Sequence, residues 1–273
     1  MKISVIIPTL LKNTVILKKL LNVLDLDDSV SEIIIINNSS IDYKTEIKKV
    51  KIITPNQNLF VNPSWNLGVQ NAKEEYFALF NDDLLVCENF CSMCIAKIRD
   101  LKDFGCMGIY SDSVINTKSI KIPMNTDMQV EQDVGERCLN WGIIIFGRKS
   151  IYTPIPENIK IWCGDDFIRY MTLKNNYKIY RLKGANIFHL GSLSSNNKAL
   201  EKIKFYDIIF YSAIDQNFIK TEVYNRYKNK VDYYFDYGDC IYKSLKKYKI
   251  IAIISFLIMV LILIIYIFSE LLL

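Results

Sequence analysis

Two adjacent carboxylates follow an apolar run in the first third of the chain. Asn81, Asp82 and Asp83 come directly after the apolar residues 76–80. A buried strand that carries acids at its carboxyl end is typical of a site for a hard divalent cation and the phosphates that it binds. Because Asn and Asp are also common turn residues, a solvated turn is the alternative interpretation of the triplet taken alone.

Apolar and amphipathic segments alternate on both sides of those acids. Strands are predicted at residues 3–7, 32–36, 50–53 and 76–80, and helices at residues 15–24 and 63–72. Strands that are apolar throughout and alternate with helices favour a parallel sheet covered on both faces, so we predict an α/β fold. Later elements are predicted as a helix near 90–101, a strand near 105–110 and a helical region at 199–248.

Polar residues follow the first, second and fourth of these strands. They are Pro8 and Thr9, then Asn37 and Asn38 with Asp42, and then Asn81, Asp82 and Asp83. Ligands of a parallel sheet lie beyond the carboxyl ends of its strands, so we expect all three turns to face one crevice. The chain has neither a Gly-x-Gly-x-x-Gly nor a Walker sequence. Phosphates would therefore be neutralised by a metal that carboxylates hold, which argues against a dehydrogenase or a P-loop enzyme.

The motifs, taken in order, resemble those of glycosyltransferase family 2, whose members have the GT-A fold. They comprise residues 5–9, 32–42, 58–60 with 66–68, 80–83, 140–142, 146–148, 162–166 and 189–192. The resemblance covers about residues 1–195. Within the family, the chain resembles rhamnosyltransferase-like enzymes that build cell-surface polysaccharides. It implies a Rossmann-like, mostly parallel sheet with flanking helices, and a nucleotide-diphosphate sugar as the donor.

The resemblance also implies roles for particular side chains. The metal, Mn²⁺ or Mg²⁺, would be bound by Asp83, alone or together with Asp82 and Asn81, and by His189. Asp165 or Asp166 would be the base that deprotonates the acceptor hydroxyl. His189 is alternatively a core or turn residue, and the two later aspartates are alternatively helix caps. The positions implied to surround the donor nucleotide and its diphosphate are Pro8, Thr9, Asn37, Asn38, Asp42, Asn58, Asn66, Asn81 and Asp82.

The predicted reaction is inverting transfer of one sugar from a nucleotide-diphosphate sugar to a hydroxyl acceptor. Asn37 and Asn81 stand where the family often has an acid, which leaves the nucleotide, UDP or another, open. The same two residues support a second interpretation, a membrane-anchored module that binds nucleotide sugars or glycans without activity. A sugar-phosphate nucleotidyltransferase is a third, but residues 10–13 do not supply the Gly-rich basic loop expected of that class.

The run 250–268 contains 19 residues without a charge. At about 1.5 Å per residue it would span about 28 Å, close to the thickness of a bilayer core, so we predict one transmembrane helix. A buried core helix is the alternative. The positive-inside rule then keeps residues 1–249 in the cytoplasm, because four lysines precede the run. They are Lys243, Lys246, Lys247 and Lys249.

Three parts of the chain follow from these observations. Residues 1–198 are predicted to form the glycosyltransferase domain, residues 199–249 a helical region rich in Tyr and Lys, and residues 250–268 the membrane anchor. No signal peptide is predicted, because the apolar run 3–7 is too short for one. Tethering to a membrane suits a lipid-linked or surface-glycan acceptor.

Charge and cysteine content argue against other classes of protein. The net charge is +5, and no basic run interleaved with aromatic residues precedes the carboxyl end, so nucleic-acid binding is not favoured. Seven scattered cysteines indicate a reducing compartment and not the disulfide framework of a small secreted domain. Cys87, Cys91 and Cys94 are predicted to share one helix face and pack in the core, with a metal site as the alternative.

Overall fold

The structure is a computed structural model that describes residues 1–109, 114–115, 122–124, 127–133, 141–190 and 198–215. Apart from Asp215, these residues belong to one compact unit, Met1–Ile214. The predicted anchor at 250–268, the lysines before it and most of the region 199–249 lie outside the described residues. Within the part of the chain that is described, no helix is both long and apolar enough to cross a membrane.

Strands and helices alternate through most of the described chain. The strands are β1 (Ile3–Thr9), β2 (Val30–Asn37), β3 (Val50–Ile53), β4 (Tyr76–Phe80), β5 (Leu84–Leu85), β6 (Phe104–Ile109), β7 (Val114–Ile115), β8 (Gln129–Gln132), β9 (Ile144–Arg148), β10 (Lys178–Lys183) and β11 (Ile187–His189). The α-helices are α1 (Thr14–Leu26), α2 (Val61–Asn71), α3 (Phe90–Arg99), α4 (Gly164–Lys174) and α5 (Lys198–Ile214). Short 3₁₀ helices, Trp141–Ile143 and Lys149–Ile151, flank β9.

Eight strands form a central sheet in the order β3-β2-β1-β4-β9-β6-β10-β8. The pairs β1/β2, β1/β4, β2/β3 and β6/β10 are parallel, whereas β9 is antiparallel to β4 and β6, and β8 is antiparallel to β10. A second, smaller sheet has three strands in the order β5-β11-β7. The predicted α/β fold with a mostly parallel sheet is confirmed.

The central strands form where apolar, β-branched residues are concentrated. Residues 33–36 of β2 are four isoleucines without solvent exposure, and residues 5–7 of β1 are equally buried. Side chains of this kind fit a pleated surface, and each one that is fully buried stabilises the fold by about 1.5–3 kcal/mol. Helix α2 approaches β1 closely, because a Cβ added to Gly68 would lie 2.2 Å from Ile6 Cγ2. Helix α2 therefore packs tightly on the face of the sheet to which Ile6 contributes.

The three clustered cysteines are buried, but they do not all lie on one helix. Cys91 and Cys94 are on α3, and burial raises the pKa of both thiols well above the usual value. Cys87 precedes the first residue of α3, so the prediction that all three share one helix face is wrong for this residue. Burial raises the pKa of Cys87 to about 11. The helix predicted near 90–101 does begin at Phe90, three residues after Cys87.

Candidate active site

The turns after β1, β2 and β4 meet at one edge of the central sheet, as predicted. Thr9 at the end of β1 lies opposite Asn37 at the end of β2 in the parallel register. The Thr9 hydroxyl donates to Asp82 Oδ2 at 2.6 Å, and the Asn38 N–H donates to the Thr9 carbonyl at 2.8 Å. One residue thus connects the second and fourth strand ends.

Of the two adjacent acids Asp82 and Asp83, it is Asp82 whose carboxylate bonds the turn after β1. Burial raises its pKa, the hydrogen bond from Thr9 lowers it, and the neighbouring charge of Asp83 raises it again. The Thr9 hydroxyl oxygen also accepts from the Leu11 N–H at 2.9 Å, and Leu11 has a left-handed φ of 55°. Asp82 therefore shapes the loop after β1, whereas the side chain of the next residue, Asp83, makes a different contact.

Asp83 pairs with His189. Its Oδ1 lies 3.2 Å from His189 Nε2, and the two side chains are 13% and 11% exposed. The small sheet creates this pair, because His189 on β11 lies opposite Leu84 on β5 in antiparallel register. The Leu190 N–H also donates to the Asp83 carbonyl at 2.9 Å. Residues far apart in the sequence are thereby fixed side by side.

A divalent cation fits the Asp83–His189 pair only if the donor supplies further ligands. Among the residues that the structure describes, no group of three or more His, Cys, Asp or Glu side chains could hold a metal ion. A carboxylate oxygen and an imidazole nitrogen are both suitable first-row metal ligands, and cations at phosphate sites commonly use one or two protein ligands plus phosphate oxygens. The pair is thus suited to a cation that a diphosphate helps to hold.

Asn37 and Asp42, both predicted to contact the nucleotide, occupy different environments in the turn after β2. Asn37 is buried, and its Oδ1 accepts from the Ser39 N–H at 3.0 Å while its Nδ2 donates to the Ile41 carbonyl at 2.8 Å. Asp42 is exposed and lies 3.2 Å from Lys44 Nζ. Asn37 therefore shapes the turn, whereas Asp42 stands in solvent at its rim.

Asn38 fastens the loop that leads into α2. Its Oδ1 accepts from the Leu59 N–H at 2.9 Å, and its Nδ2 donates to Ser64 Oγ at 2.9 Å. Asn58 Oδ1 accepts from the Phe60 N–H at 2.8 Å. Phe60 has φ 64° and ψ −166°, a backbone conformation that glycine adopts almost exclusively and that costs another residue roughly 1–3 kcal/mol. The surrounding hydrogen bonds hold this strained residue in place.

Asn66, another residue predicted to surround the donor, is bonded to a different segment. Its Nδ2 donates to the Ile155 carbonyl at 2.7 Å, and its Oδ1 accepts from the Ile155 N–H at 2.9 Å. The Tyr152 hydroxyl donates to the same oxygen at 2.8 Å. These bonds tie α2 to residues 152–155. The two remaining predicted positions, Pro8 on β1 and Asn81 after β4, lie at the sheet edge.

Asp165 and Asp166 lie in the first turn of α4, where the helix dipole favours negative charge. Asp165 packs on Gly142, because a Cβ added to that glycine would lie 2.7 Å from Asp165 Oδ2. The next residue, Ile143, accepts a 3.1 Å hydrogen bond from the Asn81 N–H. Asp165 is thereby brought to the end of β4. Its carboxylate forms no hydrogen bond or ion pair within the described part of the chain.

Several residues that support this region were not predicted from the sequence. Asp133 and Arg169 form a buried ion pair at 2.8 Å, and the Arg169 guanidinium lies 5.3 Å from the ring of Trp141. Helix α5 contributes Asp207, which is fully buried. Burial raises the pKa of its carboxyl group, whereas hydrogen bonds from the backbone N–H groups of residues 160–162 lower it. The signal for Asp207 in the sequence is an acid inside the otherwise uncharged, aromatic and aliphatic run 205–211.

The starts of α2 and α4 touch directly. A Cβ added to Gly164 would lie 2.1 Å from Asn62 Oδ1, so only glycine fits there without displacing Asn62. Asn62 is itself buried, and its Nδ2 donates to the Trp162 carbonyl at 3.0 Å. The loop that Asn38 fastens and the helix that carries Asp165 therefore share one contact.

Comparisons with known proteins give a family and a fold. The model of the family Glycosyl transferase family 2 matches residues 4–152. Among solved structures, TarS 1-349 of S. aureus in complex with UDP matches at 18% identity over 85% of this chain and 76% of that chain, with a TM-score of 0.54. TarS 1-349 in complex with UDP-GlcNAc matches at 15% identity over 85% and 77%, with a TM-score of 0.52. GalNAc-T7 with UDP, GalNAc and Mn²⁺ matches at 13% identity over 69% and 44%, with a TM-score of 0.51. No curated protein sequence matches significantly.

At these identities the solved structures establish the fold, and the predicted GT-A fold is confirmed. The family model extends from β1 to just beyond β9, so it includes the turns that carry Thr9, Asn38 and Asp83. It covers more than half of the 273 residues. Because the family model matches more than half of the chain, the chain belongs to glycosyl transferase family 2.

Proposed function

We propose that this protein transfers one sugar, with inversion, from a nucleotide-diphosphate sugar to a hydroxyl acceptor. The observation that carries the proposal is the position of Asn81 at the end of β4. Asp83 follows two residues later, and the Asn81 N–H donates to the Ile143 carbonyl, next to the glycine on which Asp165 packs. The Asp83–His189 pair and the Asp165 carboxylate, which has no hydrogen-bond partner among the described residues, thus lie near one strand end. Membership of family 2 supports group transfer, and the UDP-bound TarS structure supports a nucleotide donor for this fold.

The donor would lie along the turns after β1, β2 and β4. Thr9, Asn38 and Asp82 join these turns through direct hydrogen bonds, so the strand ends that would face the donor are tied to one another. Asp83 and His189 would hold a Mn²⁺ or Mg²⁺ ion together with the diphosphate. When bound, such an ion would stabilise the charge of the leaving diphosphate.

Asp165 is the proposed general base. Its carboxylate takes the proton from the acceptor hydroxyl while the acceptor oxygen forms a bond to the anomeric carbon, and the bond from that carbon to the diphosphate breaks. We favour Asp165 over Asp166 because the Asp165 carboxylate packs on Gly142 without a hydrogen-bond partner among the described residues. The backbone of Asp166 is bonded instead, since its carbonyl accepts from the Tyr211 hydroxyl at 3.1 Å.

The acceptor is proposed to be a glycan or a lipid-linked sugar at a membrane. The support comes from the sequence: the uncharged run 250–268 and the lysines before it fit a single anchor with the catalytic domain in the cytoplasm. Each lysine near an anionic surface adds about 1 kcal/mol of attraction. Release of the full-length protein by carbonate washing of membranes, or protease access to residues 1–249 only from outside, would contradict this part.

A screen of nucleotide sugars tests the proposed reaction. Purified protein is mixed with each donor and Mn²⁺, and release of nucleoside diphosphate is measured with and without EDTA. We expect one donor to be hydrolysed slowly and only with the metal, and UDP to bind by calorimetry under the same conditions. Donor binding without hydrolysis or transfer would favour the inactive binding module that Asn37 and Asn81 suggest.

A further inference from the structure

Three successive backbone N–H groups converge on one buried carboxylate at the side of the candidate active site. Asp207 Oδ1 accepts from the Lys160 N–H at 2.6 Å, and its Oδ2 accepts from the N–H groups of Ile161 and Trp162 at 2.7 and 2.9 Å. Asp207 has no solvent exposure. A carboxylate can accept all of these bonds because it has two oxygens and donates nothing when ionised.

The same face of α5 contacts this segment at two further points. Lys204 Nζ lies 5.0 Å from the centre of the Trp162 ring, and the Tyr211 hydroxyl donates to the Asp166 carbonyl. Residues 204, 207 and 211 are three and four positions apart, so they share one side of the helix. All three are buried. Helix α5 therefore supports residues 160–166 along one continuous face.

Helix α2 holds the opposite side of the segment. The Asn62 N–H donates to the Lys160 carbonyl at 2.9 Å, and Asn62 Nδ2 donates to the Trp162 carbonyl. The chain then turns at Cys163, whose φ of 59° is left-handed, and enters α4. Asp165 follows two residues later. The direction in which α4 begins is thus fixed by bonds to residues 160–162.

We propose that Asp207 is a positioning residue for the general base Asp165, an inference that rests on the proposed function. Charged hydrogen bonds are roughly twice as strong as neutral ones, so the three bonds of Asp207 hold residues 160–162 tightly. Replacing its carboxylate by an amide directs an NH₂ group at backbone N–H groups that need an acceptor. The start of α4 would then shift, and a displacement of about 1 Å at a reacting group can cost a factor of about 10² in rate.

The test compares Asp207→Asn with Asp27→Asn. Asp27 is also buried and also accepts two backbone N–H bonds, from Ser29 at 3.0 Å and Ser92 at 3.1 Å, but it joins α1 to α3 away from the site. Both variants are expected to lose stability in urea. Only Asp207→Asn is expected to lower kcat for donor hydrolysis, by about 10- to 100-fold, with KM for the donor and UDP affinity unchanged.

Amide hydrogen exchange gives a readout that does not depend on turnover. In Asp207→Asn the N–H groups of residues 160–162 should exchange faster than in the parent, whereas Asp27→Asn should leave them unchanged. Asp207→Glu keeps the carboxylate and should recover part of the lost kcat. If Asp207→Asn does not fold, Asp207→Ser, which leaves room for a water molecule, is measured instead.

The outcomes separate this inference from the proposed function. A parent protein that turns over no donor overturns the proposed function and the positioning role with it. An active parent whose kcat is unchanged in Asp207→Asn overturns the positioning role alone. Equal losses of kcat in the Asp207 and Asp27 variants would show a general effect of destabilisation and would also overturn it.

Discussion

Two pairs of adjacent aspartates flank the crevice, and the structure supports them in different ways. In the pair Asp82 and Asp83, one carboxylate bonds Thr9 at a neighbouring strand end and the other pairs with His189. In the pair Asp165 and Asp166, one carboxylate packs on Gly142 and the backbone of the other bonds α5. The first pair is held by the sheet and the second by buried side chains from a later helix. Changes at the first should therefore act on donor affinity, and changes around the second on turnover.

The largest expected effect is that of Asp83→Ala on donor binding. Losing residues that merely orient a metal ligand typically costs 10- to 100-fold in metal affinity, so removal of the ligand itself should lower Mn²⁺-dependent UDP affinity about 100-fold or more. Calorimetry with UDP, with and without Mn²⁺, measures this loss. Asp28→Ala is the control, because Asp28 is an exposed acid outside the site. Equal UDP affinity for Asp83→Ala and the parent in Mn²⁺ would contradict the assignment of the first pair.

The second pair is tested by Asp165→Asn and Asp166→Asn. Loss of a general base usually costs a factor of about 10² to 10⁴, so Asp165→Asn should lower transfer by about 10² or more while UDP affinity stays at the parent value. Asp166→Asn should lower transfer by less than about tenfold, because its side chain is not the proposed base. Rates of transfer or donor hydrolysis at saturating donor measure both. The opposite order would exchange the two roles, and parent rates in both variants would place the base elsewhere.

A smaller effect is expected from Thr9→Val, which removes the hydrogen bond to Asp82. An unsatisfied buried polar group costs about 1–3 kcal/mol, so the free energy of unfolding in urea should fall by about that amount. Because this bond lowers the pKa of Asp82, its loss matters most when the carboxylate is ionised. The difference from the parent should therefore be largest at neutral pH and shrink as the pH falls through the raised pKa of Asp82. Thr9→Ser keeps the hydroxyl, so its free energy of unfolding should match that of the parent both at neutral pH and below the pKa of Asp82.

The smallest effect concerns the strained residue beside Asn38. Phe60→Gly and Phe60→Ala both remove the ring, but only glycine adopts φ 64° and ψ −166° without steric cost. After the extra chain entropy of glycine is counted, the glycine variant should be more stable than the alanine variant by about 1 kcal/mol. Urea unfolding of the two proteins measures the difference. An alanine variant as stable as the glycine variant would show that the backbone relaxes once the ring is gone.

The sequence predicts the first pair better than the second, and the reason is physical. Apolar β-branched runs with polar ends are local signals, so the strand ends that carry Thr9 and Asp83 follow from the residues alone. His189 was linked to a metal through the family resemblance only, because its approach to Asp83 depends on pairing between β5 and β11. Asp207 could not be predicted to bind residues 160–162, since its partners are N–H groups whose direction depends on the folded backbone.

Asn37 and Asn66 show a further limit of prediction from sequence motifs. Both were predicted to surround the donor, which stays a prediction, and in the structure their amides bond within the turn after β2 and to residues 152–155. A short amide side chain can bond nearby backbone as readily as a ligand, and its residue type does not distinguish the two.

Gly164 has a consequence for how this protein tolerates mutation. Because the Asn62 side chain occupies the space that a Cβ would need, any other residue at 164 must displace it and disturb its bond to the Trp162 carbonyl. A single substitution would then loosen the loop that Asn38 fastens and also turn Asp165 out of place. In a library with every residue at position 164, selection for activity should return glycine alone, whereas selection for folded protein should also return alanine and serine at reduced yield. A difference between the residues recovered in the two selections would show that position 164 is needed for activity beyond folding, without any knowledge of the substrate.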